Sequence, residues 1–66
     1  MRYGKLAAQI GRQLPLAVVK SSFGYFIGTA DEETGPVSRE SVEYWGDPAI
    51  AAAALADDRW TQRFEP

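Results

Sequence analysis

The 66-residue chain carries seven Lys and Arg against nine Asp and Glu, a net charge of −2, and a chain this short buries only about 60% of the surface it exposes when unfolded, so one small domain is expected over 1–66. It contains no Cys, His or Asn, which excludes disulfide frameworks, thiol nucleophiles, imidazole bases, Cys/His zinc sites and N-linked glycosylation. The longest apolar run falls well short of the ~20 residues of a membrane span and no apolar leader opens the chain, so a cytoplasmic location without a membrane partner is expected.

Tyr3, Leu6, Ala7, Ile10 and Leu14 recur at helical spacing, which predicts an amphipathic helix over Arg2–Gln13, stopped by Pro15. Leu16–Val19 reads as a first strand, with Lys20, Ser21 and Ser22 in a turn. Phe23–Thr29 reads as a second, with Phe23, Tyr25 and Ile27 toward the core and Gly24, Phe26 and Gly28 on the other face. Asp31–Pro36 is polar, ends in a Gly-Pro pair and predicts a loop. In a third strand over Val37–Trp45, alternation sets Ser38, Glu40, Val42 and Tyr44 against Arg39, Ser41, Glu43 and Trp45, with Val42 and Tyr44 inward. Asp47 before Pro48 pairs an N-cap acceptor with a proline in the first helical position. The alanine-rich helix they open should bury Ile50, Ala51, Ala54 and Leu55 and fray near Ala56, where Asp57 and Asp58 oppose its dipole. Trp60, Gln62 and Phe64 alternate with Thr61 and Arg63, as in a short last strand or an extended tail packing its aromatics inward. The result is an α+β fold: a two-layer α-β-β-β-α domain with a three-stranded antiparallel sheet and room for a short fourth strand at the C-terminus.

Charge is uneven along this order. Residues 1–20 hold Arg2, Lys5, Arg12 and Lys20 with no acid, whereas the remainder sets three arginines against all nine acids. Arg2, Lys5 and Arg12, with Lys20 nearby, form a basic stripe that could contact phosphates or an acidic protein. Gly4, Ala8 and Gly11 make a small-residue face suited to close packing, against the second helix or another copy of the chain. The outer sheet face is expected to display Phe26, Arg39, Ser41, Glu43 and Trp45, a mixture of aromatic and polar groups suited to a protein partner. Asp31, Glu32, Glu33 and Thr34 lack the oxygen spacing of a calcium loop and read as a solvated hairpin tip. Ser38, Arg39, Glu40 and Ser41 are adjacent, but neighbours on a strand point to opposite faces, and a serine without a positioned base is a weak nucleophile. No cofactor and no enzymatic activity are therefore expected.

The stretch from Gly24 to Leu55, with YFIGT, GPVSRESVEYW and an alanine-rich helix, resembles small uncharacterised proteins encoded by bacterial phages and mobile elements. Its strand-strand-helix order is also similar to the arm-binding domains of tyrosine recombinases, although Glu40 and Glu43 stand where those domains carry basic residues. The five-element order is shared with double-stranded-RNA-binding domains, where Asp47, Pro48 and Ala49 replace a basic helix start. The expected function is that of a non-enzymatic module binding another protein or forming a homodimer. The alternatives are weak nucleic-acid binding through the basic stripe, or acidic mimicry of nucleic acid by Asp31, Glu32, Glu33, Glu43, Asp57 and Asp58.

Overall fold

The computed structural model describes residues 2–65. Along the chain run α1 (Lys5–Gln9), β1 (Ala17–Ser21), β2 (Gly24–Asp31), β3 (Gly35–Arg39) and α2 (Pro48–Ala56), with the strands in one antiparallel sheet of order β1-β2-β3. The architecture is the expected small α+β fold.

The helix predicted over Arg2–Gln13 survives only at its centre. Residues on either side of α1 pair with each other instead: Gly4 N–H donates to the Leu14 carbonyl at 2.9 Å, Leu16 N–H to that of Arg2 at 2.8 Å, and Tyr3 bridges Pro15. Gly11, at φ +80°, ends the helix by reversing the chain, so that Arg12 N–H reaches back to Ala7 and Gly11 N–H to Ala8. The apolar stripe is cut accordingly. Leu6 and Ala7 are buried while Tyr3 and Ile10 face solvent.

The β1–β2 hairpin turns at Ser22 and Phe23, with Ser21 opposite Gly24. Ser21 Oγ holds this turn by donating to the Gly24 carbonyl and accepting from Phe23 N–H. Phe23 therefore sits at the tip, 80% exposed, rather than in the core with Ile27. β2 continues past Thr29 to Asp31, whose Oδ1 accepts from Glu33 N–H to close the second hairpin.

The third strand does not keep its alternation. Glu40 and Ser41 both donate their N–H to the Ile27 carbonyl, at 2.9 Å each, so two residues oppose one and a bulge forms. Regular pairing from Gly28↔Arg39 would bring Val42 opposite Tyr25, yet Trp45 stands there. The phase of the strand is thereby reversed: Trp45 shares the Tyr25 side, Tyr44 meets Phe26 on the opposite side, and Ser41 is buried. Val42 and Tyr44, expected inward, are 53% and 39% exposed.

Both helices occupy the side of Tyr25, Ile27 and Thr29. Gly4, at the start of α1, lies against Thr29, and Trp45 lines a groove with α2, which packs on β1 and β2. Asp47 caps α2 as its sequence requires, accepting from Ala49 N–H at 2.8 Å. The helix turns Ala51 and Ala54 inward, leaving Ile50 exposed. Past Asp58, which adopts φ +59°, the chain returns alongside the bulge. Ser41 bridges Gln62, Val42 N–H donates to Thr61 and Arg63 N–H to Glu40. The fourth strand is thus a single bridge, with Trp60 half-buried and Phe64 exposed. No helix among the described residues is long and apolar enough to cross a membrane.

Candidate interaction surfaces

Just before the bulge, Glu40 keeps the inward side that it shares with Ser38, and its carboxylate is fully buried. Leu6 N–H donates to it at 3.0 and 3.1 Å and Ala7 N–H at 3.1 Å, while Ser38 Oγ donates at 2.5 Å and Gln62 Nε2 at 2.8 Å. Because an ionised carboxylate only accepts, Ser38 spends its proton on Glu40 and receives one from Thr29, 2.6 Å away. Burial pushes the Glu40 pKa upward, but the bonds from Leu6, Ser38, Gln62 and Ala7 outweigh it and hold the carboxyl below its ordinary value. Glu40 thus caps α1, whose own N-cap position, Gly4, has no side chain with which to do so. A Cβ on Gly4 would stand 2.6 Å from Glu40 Oε2. Glu40 itself is fully buried, Ser38 and Gln62 are half-buried, and the hydrogen bonds of the cluster tie α1, β3 and the C-terminal segment together.

Ser41 is likewise committed, accepting from Ile27 N–H and donating to the Glu43 carbonyl. Glu43 holds Thr61 through both its N–H and its hydroxyl; burial raises its pKa, and these two bonds more than reverse the effect. Among the described residues no cluster of acidic groups suits a metal ion.

The five residues expected on the outer face do not form one surface. Phe26 is on that face but only 6% exposed, since its ring lies over Gly28 and meets Tyr44 edge-on at 6.0 Å. Ser41 is buried, Trp45 lines the groove on the helical side, and Glu43 is tied to Thr61. Arg39 does reach the outer face, its guanidinium carbon 4.7 Å from the Tyr44 ring centroid. Phe23, tilted against Tyr44 at 6.0 Å, completes an arginine-aromatic patch. Sequence alternation missed Phe23 and Tyr44, because neither a turn that runs one residue further than expected nor a bulge leaves a mark in the pattern of apolar residues.

The basic stripe is dispersed by the shortness of α1. Arg2 pairs with Asp58 at 2.7 Å and lies over Trp60, and Arg12 pairs with Asp31 across the hairpin tip. The Asp31 pKa is lowered first by the Glu33 N–H and then, against partial desolvation, by Arg12. Lys5 and Lys20 are exposed, on α1 and β1 respectively. Of the six acids expected to mimic nucleic acid, Asp31, Asp57 and Asp58 are in ion pairs and Glu43 is on Thr61, while Glu32 and Glu33 are exposed at the tip of the second hairpin. The small-residue face dissolves too, for Gly4 abuts the sheet, Gly11 is a helix stop with nothing near it and Ala8 is exposed.

A second concave surface, of about 520 Å³, lies between Trp45 and the Ala49, Ile50, Ala53 and Ala54 side of α2, with Arg59 at its end. It is open and shallow, and Arg59 is occupied by Asp57 at 2.9 Å.

Fold and surfaces together define a two-layer α+β domain with helices on one side of the sheet and an arginine-aromatic patch on the other. No family model, curated protein or solved structure matches the chain.

Proposed function

We propose that this protein is a non-enzymatic interaction module that binds another protein through the outer face of its sheet. The observation that carries this reading is Phe23, a phenyl ring left 80% exposed at a tight hairpin and braced against Tyr44. An ordered, exposed aromatic beside a tyrosine and an arginine has the composition of an interface hot spot, since such side chains contribute large contact area at little cost in conformational freedom. Phe23 does nothing for the core that would explain its type, and neither helix comes near enough to cover it.

The basic stripe supports nucleic-acid binding less well, because Arg2 and Arg12 are already neutralised by Asp58 and Asp31. The test is affinity purification of tagged protein from its own host, wild type beside Phe23→Ser. Proteins retained by the first and lost by the second are expected. A retained set identical for both forms overturns the assignment of the surface.

A further inference from the structure

Arg39 stands apart from the other arginines whose guanidinium contacts the structure defines. Arg2, Arg12 and Arg59 are in ion pairs and Arg63 donates to the Arg39 carbonyl, whereas the Arg39 guanidinium has no acid within pairing distance among the described residues. It is nonetheless held in place. A cation–π contact, with the guanidinium carbon 4.7 Å from the Tyr44 ring centroid, places the charge over the ring, and Tyr44 is itself braced by Phe23 and Phe26. A guanidinium held over an aromatic ring, with no acid paired to it, keeps N–H groups available for a planar, two-oxygen acceptor.

The surroundings narrow the choice. The strand register gathers Ala17, Val19, Phe26, Gly28 and Arg39 on one side of the sheet with no acidic residue among them; Val19, Phe26 and Gly28 are buried, so the apolar surface offered beside Arg39 is that of Tyr44 and Phe23. A lone cation in an apolar, acid-free patch calls for one anionic group flanked by apolar surface. We infer that the outer face docks a protein segment in which a carboxylate of Asp or Glu lies beside a large apolar side chain, the carboxylate on Arg39 and the apolar group against Phe23 and Tyr44. A nucleic-acid strand would present a phosphate at every step and needs a run of cations along its path; this face supplies one guanidinium. The inference rests on the interaction reading above and adds the chemistry of the partner.

The test is selection of a random 12-residue phage-displayed peptide library on the immobilised full chain, with the enriched peptides resynthesised and titrated by fluorescence polarisation. Wild type, Arg39→Gln, Arg39→Lys and Phe23→Ser are compared, each shown by circular dichroism to melt cooperatively. Enriched peptides should pair an acid with an apolar residue, and Arg39→Gln should weaken them about tenfold, the loss expected for a charge-assisted hydrogen-bonded pair. Arg39→Lys should recover only part of the affinity, because a point charge cannot offer the fork. Phe23→Ser should abolish binding. Peptides without acids that are still lost in Phe23→Ser overturn the carboxylate inference and leave the surface standing. Peptides indifferent to both positions overturn both. Failure to enrich any peptide, or tighter binding of a 12-nucleotide oligothymidine competing at this face, also overturns the inference.

Discussion

Glu40 gathers more hydrogen bonds than any other side chain described, and no cation balances it within ion-pair distance. Its charge is held by two backbone N–H groups at the start of α1 and by two neutral side chains, an arrangement that favours the ionised carboxyl. Replacing it by Ala leaves those donors buried without an acceptor, at about 1–3 kcal/mol for each one stranded. That is comparable to the whole stability of a small domain, roughly 5 kcal/mol, so Glu40→Ala should show no cooperative thermal transition by circular dichroism. Glu40→Gln keeps one carbonyl but turns an amide donor toward Leu6 or Ala7, and should melt at lower temperature than wild type while remaining folded. The pH dependence follows from the same bonds. A carboxyl whose folded pKa is depressed contributes stability that is complete above the unfolded value, about 4.3 for Glu, and is lost as pH falls through the lower folded value. Urea unfolding from pH 7 down to pH 2 should therefore show stability lost below about pH 4. The loss should be shallower in Glu40→Gln, where only groups such as Asp31 and Glu43 still contribute.

The two helices are ended by the same hydrogen-bond pattern with different residues. Gly11 takes the left-handed position after α1 at no steric cost, whereas Asp58 takes it after α2 at φ +59° with a side chain that also opposes the helix dipole. Its ion pair with Arg2 is largely exposed, so little stability is lost by removing it. Asp58→Gly should accordingly raise the stability by about 0.5–1 kcal/mol in urea titrations, a gain that relief of left-handed strain would supply. Asp47→Ala should lower it by about 1 kcal/mol, the usual worth of an N-cap. The start of α2 could be read from Asp47 and Pro48 because capping is a local contest between a few adjacent groups. The end of α1 was misplaced because Pro15 is a strong stop, but residues 2–4 and 14–16 had already left the helix to pair with each other, a choice that involves partners far apart in sequence. Helical spacing placed Ala51 and Ala54 on the buried face of α2 but set Ile50 beside them; the helix is apolar nearly all round, and contact with β1 and β2 leaves Ile50 exposed.

At the scale of the molecule, one short segment ties the fold together. Residues 61–63 bridge the bulge at Ser41, and Gln62 supplies a donor to Glu40, which in turn caps α1. The two ends of the chain thus meet through a buried carboxylate. Removing residues 60–66 should abolish cooperative unfolding, as Glu40→Ala does, although no β1–β2 pairing is touched; a sharp near-ultraviolet melting transition in the shortened chain would contradict this. Phe23 belongs to the opposite category. Its ring is exposed and adds little to the core, so Phe23→Ser should shift stability by no more than about 0.5 kcal/mol.

The order of elements, the antiparallel sheet, the absence of thiol and imidazole chemistry and the cap of α2 all follow from the sequence by itself, because each depends on residue type, local turn preference or spacing within a few positions. Which side of the third strand faces inward did not. Two N–H groups sharing the Ile27 carbonyl reversed that strand beyond Glu40, burying Ser41 and turning Tyr44 outward beside Arg39 and Phe23. A one-residue slip in register exchanges every side chain between the faces while leaving the pattern of residues along the chain unchanged, so only the packed sheet could decide where the arginine-aromatic patch lies.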